Sequence, residues 1–371
     1  MLYYILPKIY TKIIVTPQDH VDKCPLYISH SLCRYYTDMH TKFEMVKKNS
    51  TELVNVYDND NIIEDAIMCT PNPFNKVEAY SELFYELVEF LIVSDNNYEC
   101  FLNKQINILH ITPNYYDSYN SFEYFKKTYN YTHTNSYTHF NTVNDYMLSA
   151  NTDKFEFMFF ELPIYDFQDL NKYIIHFLQI VMIIIKTQRA NGCCLIKLNY
   201  IYHKPIIDIL FLLSSLYSKL HLIKPTLMDT TDYKYVFCEG FVNSLDQSDM
   251  NDLNYKILDD FLNKSDLKNI TQIIHYSTPA YFIYKINEIN LIIGQQQLEL
   301  FRQLLNIYMG QNKLYKLSQF KKKQNQKHVD WCNKMKIPCN THFDQISNLY
   351  PNKLLNRMVD VNLDNTVNPF R

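Results

Sequence analysis

One lysine is notable for its neighbours in the chain. Lys197 lies in the run 191-NGCCLIKLNY-200, where a small turn leads into six residues typical of a buried strand. An ammonium group at the end of such a strand either takes part in chemistry there or extends its stem to reach water. The chemistry open to it is stabilisation of a charged oxygen, or proton transfer.

Cysteine and histidine residues form two groups whose types would suit a structural zinc site. Neither group has the spacing of a standard zinc finger. The members are Cys24, His30, Cys33 and His40, and then His328, Cys332, Cys339 and His342. With 9 cysteines and 12 histidines in the chain, such groups also arise by chance, and we therefore predict no metal site.

The charges are unevenly distributed, although the net charge is only −3. Residues 296–371 hold 12 Lys and Arg against 5 Asp and Glu, and the rest of the chain holds 24 against 34. A basic tail attracts nucleic acid, whereas an acidic body does not. Six lysines of the tail, interleaved with Tyr315 and Phe320, could bind a phosphate backbone while the rings stack on bases. Alternatively, these lysines form a solvated helix face or a face that meets an acidic partner. They are Lys313, Lys316, Lys321, Lys322, Lys323 and Lys327.

Glycine is scarce, which excludes several kinds of nucleotide site. The chain of 371 residues has 4 glycines, and the first of them is Gly192. Average usage would give about 26. Glycine-rich loops that hold phosphate need positive φ angles and a close approach of the backbone. The sequence therefore excludes a P-loop or a G-x-G-x-x-G turn before Gly192.

The cysteines and the apolar segments indicate a cellular environment. The 9 cysteines are odd in number, and Cys193 and Cys194 are adjacent. The first residues lack the basic-then-apolar order of a signal peptide. The longest apolar stretch, residues 177–185, is too short to span a bilayer. We therefore expect an intracellular, reducing compartment and no membrane association.

The hydrophobic periodicity predicts an α/β protein. Residues 75–93 have the pattern of an amphipathic helix, and strands and helices alternate from about residue 105. The strands are expected at 106–111, 155–162, 193–199, 221–224 and 233–241, and the helices at 122–131, 167–190 and 205–220. This order predicts a mostly parallel sheet covered on both faces. Only about eight residues separate the last two strands, too few for a crossover, so these should pair antiparallel.

Two extensions are predicted to flank a domain at residues 75–243. Residues 1–74 form an N-terminal extension, strand-rich or irregular. Residues 244–371 form a mainly helical, basic C-terminal extension. Its helices are expected at 254–274 and 296–327, joined by a strand pair at 280–293.

The stretch from residue 192 to 241 resembles the C-terminal half of FtsJ-like ribose 2′-O-methyltransferases. The shared pattern is a small turn, a strand ending in lysine, a helix, a strand ending in Lys-Pro, a Ser/Thr-rich loop and a strand ending in Gly-Phe. Its members here are Gly192, Lys197, Lys224-Pro225, Thr226 to Thr231, and Gly240-Phe241. The likeness covers roughly residues 76–241. Within it, the sequence is similar to members of the family encoded by large DNA viruses. It implies a Rossmann-like class I methyltransferase sheet with a C-terminal antiparallel hairpin.

The resemblance also implies a Lys-Asp-Lys-Glu tetrad, whose ammonium groups stabilise a ribose oxygen while the carboxylates orient and tune them. Lys197 retains the second lysine, and the other three positions have changed. The first lysine position is Glu86 and the aspartate position is Glu161. The glutamate position is Tyr233, with Asp232 one residue away.

The glycine-rich loop that this family uses for S-adenosylmethionine has no glycine here. The corresponding run is 106-INILHITPNYYDS-118, in which only Pro113 is kept. Side chains at those places would fill the cofactor site or force the loop away. We therefore expect no cofactor, and a catalytically inactive protein that serves as a scaffold or subunit, with other viral proteins, in RNA processing or virion assembly. An active cap ribose 2′-O-methyltransferase that uses S-adenosylmethionine, and an RNA-binding module that uses the basic tail, are the alternatives.

Overall fold

The computed structural model describes residues 2–48, 81–95, 105–149, 151–163, 170–199, 201–226, 233–242, 245–309 and 312–337. The strands in these ranges are β1 (Leu2–Leu6), β2 (Gln18–His20), β3 (Asn107–Ile111), β4 (Ser136–Phe140), β5 (Phe155–Glu161), β6 (Gln188–Leu198), β7 (Tyr217–Lys224), β8 (Lys234–Phe241) and β9 (Asn269–Gln272). The helices are α1 (His30–Lys48), α2 (Glu82–Asp95), α3 (Tyr115–Tyr129), α4 (Val143–Leu148), α5 (Leu170–Thr187), α6 (Lys204–Leu216), α7 (Leu245–Leu262), α8 (Ala280–Met309) and α9 (Lys313–Lys334). Two compact units divide the chain, one of residues 1–57 and 79–313 and one of residues 58–78 and 314–371.

Seven strands of the first unit form one sheet in the order β1-β7-β8-β6-β5-β3-β4. Strands β4, β3, β5 and β6 run parallel to one another. Strand β8 is antiparallel to β6, and β7 is antiparallel to β8, which confirms the predicted antiparallel hairpin. The N-terminal strand β1 pairs antiparallel with β7 and extends the sheet by one strand. The fold is therefore a Rossmann-like α/β sheet of the class I methyltransferase type.

Helices cover both faces of the sheet, because successive strand residues project to opposite sides. On one face, Met158, Cys194 and Val236 share an apolar core with residues of α5 and α6. On the other face, α2 brings Phe90 against Phe237, with ring centroids 4.9 Å apart. Burial on both sides explains why the central strands read as near-continuous apolar runs.

The start of β6 depends on one glycine. Asn191, in the irregular first part of this strand, is left-handed, with φ of 60°. A Cβ on Gly192 would lie 2.9 Å from the carbonyl oxygen of Glu156 in β5, closer than such atoms approach. Glycine at this position lets β6 approach β5 and so sets the register that places Lys197.

The predicted strand pair at 280–293 is wrong, because these residues form the first half of α8. Their buried apolar members recur at helical intervals of four, three and four residues. They are Phe282, Ile286, Ile289 and Ile293.

Other boundaries also differ from the prediction. The helix expected at 254–274 ends at Leu262 and is followed by β9. The continuous helix expected at 296–327 is divided between α8 and α9. Strand β7 begins at Tyr217, immediately after α6, whereas a strand was expected only from residue 221. Strand β4 was missed, since its sequence SYTHF has no aliphatic residue.

Among the described residues, one helix, α5, is long and apolar enough by length and composition to cross a membrane. Most of it is buried within the first unit, including Tyr173, Phe177 and Val181. A core helix of an α/β sheet has this same composition.

Candidate functional site

The candidate site lies at the carboxyl ends of the parallel strands. From β3 the chain passes to β4 on one side and then returns to β5 on the other, so the strand order reverses between β3 and β5. Ligands of open α/β sheets bind in the crevice outside the carboxyl ends at such a reversal. The side chains at these ends are therefore the candidates for function.

Strand register brings several of these side chains into one row. Glu161 is paired with Lys197 between β5 and β6, and Lys197 is paired with Tyr235 between β6 and β8. Directly paired residues project to the same face. Thr112, which follows β3, continues the row beyond Glu161 and bonds to it. Helix α2 contributes Glu86 to the same cluster.

Lys197 is a buried ammonium held by two carboxylates. Its Nζ lies 2.8 Å from Glu86 Oε2 and 3.5 Å from Glu161 Oε1. Burial alone would lower the pKa of Lys197, but the negative charges of Glu86 and Glu161 outweigh burial and raise it. The residue is only 5% exposed. Lys197 is therefore a permanent cation in the physiological pH range and does not accept a proton.

Glu86 is shared between the lysine and a phenol. The hydroxyl of Tyr235 donates a hydrogen bond to Glu86 Oε2, the same oxygen that contacts Lys197. Burial raises the pKa of Tyr235, and the charge of Glu86 raises it further, so the phenol keeps its proton. The other oxygen, Glu86 Oε1, is buried without a hydrogen-bond partner among the residues that the structure describes.

Tyr233, the residue before β8, lies over the ammonium group of Lys197. Its ring centroid lies 4.5 Å from Lys197 Nζ, a distance that allows a cation–π interaction. Burial raises the pKa of Tyr233 to about 12, although the nearby lysine opposes this. The position at which the resemblance implies a carboxylate thus holds a neutral aromatic ring. Asp232, the neighbouring candidate, lies outside the described residues.

The turn after β3 is bonded to Glu161. Thr112 Oγ1 donates to Glu161 Oε2 at 2.6 Å, and Asn114 Nδ2 donates to the same oxygen at 3.3 Å. The backbone N–H of Asn114 in turn donates to Thr112 Oγ1 at 3.0 Å. Each oxygen of Glu161 therefore has a partner, Lys197 on one side and the turn on the other.

The same turn closes without glycine or any left-handed residue. Asn114 has φ of −98°, and α3 begins at the next residue. The ring of Tyr115 stacks on His139 of β4, with centroids 4.2 Å apart. Residues with side chains therefore stand at the positions where the resemblance implies a glycine-rich turn.

A second set of contacts fastens α2 to the loop after β7. Thr226 donates its backbone N–H to Glu89 Oε2 at 2.9 Å and its hydroxyl to Glu89 Oε1. Lys224 Nζ donates to the carbonyl oxygen of Tyr233 at 2.8 Å. Glu86 and Glu89 therefore tie one helix to the ends of β6 and β7.

The other predicted residues lie elsewhere. Lys316, Lys322 and Lys323 are exposed on α9 and Lys327 is half-buried, while the side chains of Lys313 and Lys321 lie outside the described residues. Cys339, His342 and the side chains of His40 and His328 are also outside them. Within the described part of the chain, no three His, Cys, Asp or Glu side chains are grouped so as to hold a metal ion.

Three residues of the cluster were not expected from the sequence. Tyr235 lies two residues after Tyr233, so strand alternation alone places both rings on one face. Thr112 and Asn114 flank the retained Pro113, and their short polar side chains were a signal that the turn makes local hydrogen bonds.

Comparisons with known proteins add no argument to the strand order. No family model and no curated protein matches the chain. Among solved structures, a proposed methylase, HI0767 from Haemophilus influenzae, matches 40% of this chain and 88% of its own, at 11% identity and a TM-score of 0.25. A similarity of this size carries no functional argument, and the fold assignment rests on the strand order.

Proposed function

We propose that this protein is a methyltransferase-fold protein that does not transfer methyl groups and serves as a non-catalytic subunit of a larger assembly. One observation carries the proposal: two carboxylates and two phenols enclose the single ammonium of Lys197. The tetrad implied by the resemblance has two ammonium groups and two carboxylates. Here, with Glu86 at the position of the first lysine, two carboxylates surround one ammonium group.

Among the residues that the structure describes, this arrangement leaves no group suited to act on a ribose hydroxyl. The raised pKa of Lys197 prevents it from acting as a base, and its burial between Glu86 and Glu161 removes it from a substrate oxygen. The raised pKa of Tyr233, about 12, keeps this phenol neutral as well. Transition-state stabilisation needs a donor aimed at the developing charge, and this donor is already neutralised.

The experiment is a methyl-transfer assay with the full chain, labelled S-adenosylmethionine and capped RNA, with calorimetry of S-adenosylmethionine binding alongside. The expected result is no transfer above that of a Lys197→Met variant and no binding with a dissociation constant of about 1 mM or tighter. Transfer by the wild-type chain that Lys197→Met abolishes would overturn the proposal.

A single observation favours the alternative of an active ribose 2′-O-methyltransferase. The positions implied as a tetrad, Glu86, Glu161, Lys197 and Tyr233, do meet at one point. Such an enzyme would carry out methyl transfer at the same place in the fold, with Glu86 and Tyr233 in place of the first lysine and the glutamate. The same assay separates the two functions, because only the enzyme transfers the label.

The proposed setting is an RNA-processing or virion assembly in a reducing compartment. The resemblance to relatives encoded by large DNA viruses supports this setting. The odd number of cysteines, with Cys193 and Cys194 adjacent, supports a compartment in which disulfides do not persist. Cross-linking in infected cells is expected to join the chain to RNA-processing or structural proteins, and recovery only as an isolated monomer would contradict this role.

A further inference from the structure

We infer that helix α9 is a binding surface for single-stranded nucleic acid. The inference is independent of the proposed function, because it concerns a helix of the second unit and needs no methyl transfer. It begins with composition. From residue 301 to 329 the chain has seven Lys and Arg and no Asp or Glu, in a protein whose net charge is −3.

The structure places part of this charge in a line. Lys316, Lys323, Lys327 and Lys334 are separated by seven, four and seven residues, so they share one side of α9. Three of the four are exposed, and Lys327 is half-buried. The line spans about 27 Å at the rise of an α-helix. The one carboxylate of α9, Asp330, lies beside this line and accepts a hydrogen bond from Gln326 at 2.8 Å.

The remainder of the helix explains why this side is presented to solvent. The buried residues lie on one side of α9 and continue into the turn after it, and the four lysines lie away from that side. The buried residues are Leu317, Trp331, Cys332 and Met335. A line of ammonium groups on a rigid helix matches the repeating charge of a phosphate backbone better than the irregular charge of a folded acidic protein.

An aromatic side chain favours a single strand over a duplex. Tyr315 is 67% exposed and precedes the first lysine of the line. Exposed aromatic rings beside a basic track stack on unpaired bases, whereas the bases of a duplex are already stacked on one another. Exposed Gln319 and Gln326 supply amide donors on the same helix.

The experiment measures binding of the full chain to a labelled oligouridine of about twelve nucleotides, a length within the range of single-strand sites. Fluorescence anisotropy is recorded between about 50 and 200 mM salt. Four neutralised phosphates predict a slope of log K against log salt of about −3 for a single strand. The variant K316Q/K323Q/K327Q/K334Q is expected to lose at least tenfold in affinity and most of that slope.

The control variant, K23Q/K42Q/K256Q/K268Q, removes four exposed lysines outside α9 and changes the net charge equally. It is expected to keep both affinity and slope. The variant Tyr315→Ala should weaken binding without changing the slope, because stacking releases no counterions. The inference is overturned if the two quadruple variants lose affinity equally, if oligouridine does not bind, or if polyglutamate binds as tightly as oligouridine.

Discussion

The ammonium of Lys197 at the end of β6 lies 2.8 Å from a carboxylate oxygen of Glu86 on α2. This contact joins a helix that precedes the parallel strands in sequence to the centre of the sheet, in a place that is almost free of solvent. A buried ion pair of this kind contributes less net stability than its attraction suggests, because both groups lose their hydration. Removing one partner is costly, however, since the other charge is then buried alone.

Replacing Lys197 by Met should therefore destabilise the protein by about 3–5 kcal/mol. The buried carboxylate of Glu86 and the partly buried carboxylate of Glu161 would lose their common cation. Urea unfolding followed by circular dichroism measures the change. The matched control is Lys219→Met, which breaks the half-exposed pair between Lys219 and Glu239, with Nζ–Oε2 at 3.3 Å, and should cost under about 1 kcal/mol.

The pH dependence of this cost follows from the raised pKa of Lys197. A lysine whose folded pKa is raised contributes stability fully below its unfolded value of about 10.4, and that stability is lost only as the pH rises above it. The difference between wild type and Lys197→Met should therefore be constant from about pH 6 to 9. A difference that shrinks steadily across this interval would contradict the assignment of Lys197 as a permanent cation.

Replacing Thr112 by Val should loosen the turn after β3. The variant loses the 2.6 Å hydrogen bond to Glu161 and the acceptor for the backbone N–H of Asn114. Hydrogen bonds to a charged group are worth about 1.5–3 kcal/mol, so a loss of that size in unfolding free energy is expected. Thr112→Ser keeps the hydroxyl and should retain most of the stability. A larger loss in Thr112→Ser than in Thr112→Val would show that the methyl group, and not the bond, is what matters.

The layout of the sheet was predictable because its signals are local and repeated. Buried strands such as 155–162 are near-continuous apolar runs, with Glu156 near the start and Glu161 near the end, and the short connection between the last two strands allowed only an antiparallel pairing. The edge strands carry weaker signals. Strand β4 has polar and aromatic residues and β1 is separated from its partner β7 by most of the chain, so neither pairing could be derived from nearby residues.

The sequence indicates where the site lies in the fold, but not which ion pairs and hydrogen bonds its side chains form. The positions of Glu161 and Lys197 follow from the ends of two strands, whereas that of Glu86 depends on how α2 lies over the sheet. That orientation is set by packing, as between Phe90 and Phe237, and has no signature in the local sequence. The hydrogen bonds of Thr112 and Asn114 depend on the same three-dimensional arrangement.

Acid sensitivity should arise from His110, which is buried in β3 among aromatic rings and contacts the hydroxyl of Ser118. Burial, with a smaller contribution from the neighbouring His139, lowers its pKa to about 3. The unfolded chain binds a proton near pH 6.5 and the folded chain does not, so stability is full above that pH and falls as the pH drops towards 3. One such group contributes a slope of about 1.4 kcal/mol per pH unit.

The variant His110→Phe should flatten the decline of stability between about pH 6 and 4 by that amount, because phenylalanine does not titrate. Its absolute stability also changes, since Ser118 loses a partner, so the slope is the informative quantity. His133→Phe, at an exposed histidine, is the control. An unchanged slope in His110→Phe would show that other groups cause the acid sensitivity.

The last prediction concerns the balance of charge around Lys197. Glu86→Lys alone would place two ammonium groups beside one carboxylate, Glu161, in a buried cluster, and should destabilise the protein by about 3–5 kcal/mol or prevent folding. Adding Tyr233→Glu restores two charges of each sign, because the ring of Tyr233 already lies 4.5 Å from Lys197 Nζ. The double variant should therefore be more stable than Glu86→Lys, by at least about 1 kcal/mol.

The control for this pair is Tyr233→Glu alone, which adds a third carboxylate near one ammonium and should also be destabilising. Non-additivity across the four proteins measures the coupling between positions 86 and 233, and simple additivity would show that the two side chains do not act on a common cation. Even with the charges rebalanced, the double variant should not transfer methyl groups from S-adenosylmethionine. The bonds from Thr112 and Asn114 to Glu161 still hold the turn in the place of the cofactor loop. Methyl transfer by the double variant would show that charge at position 86, and not the turn, is what prevents catalysis.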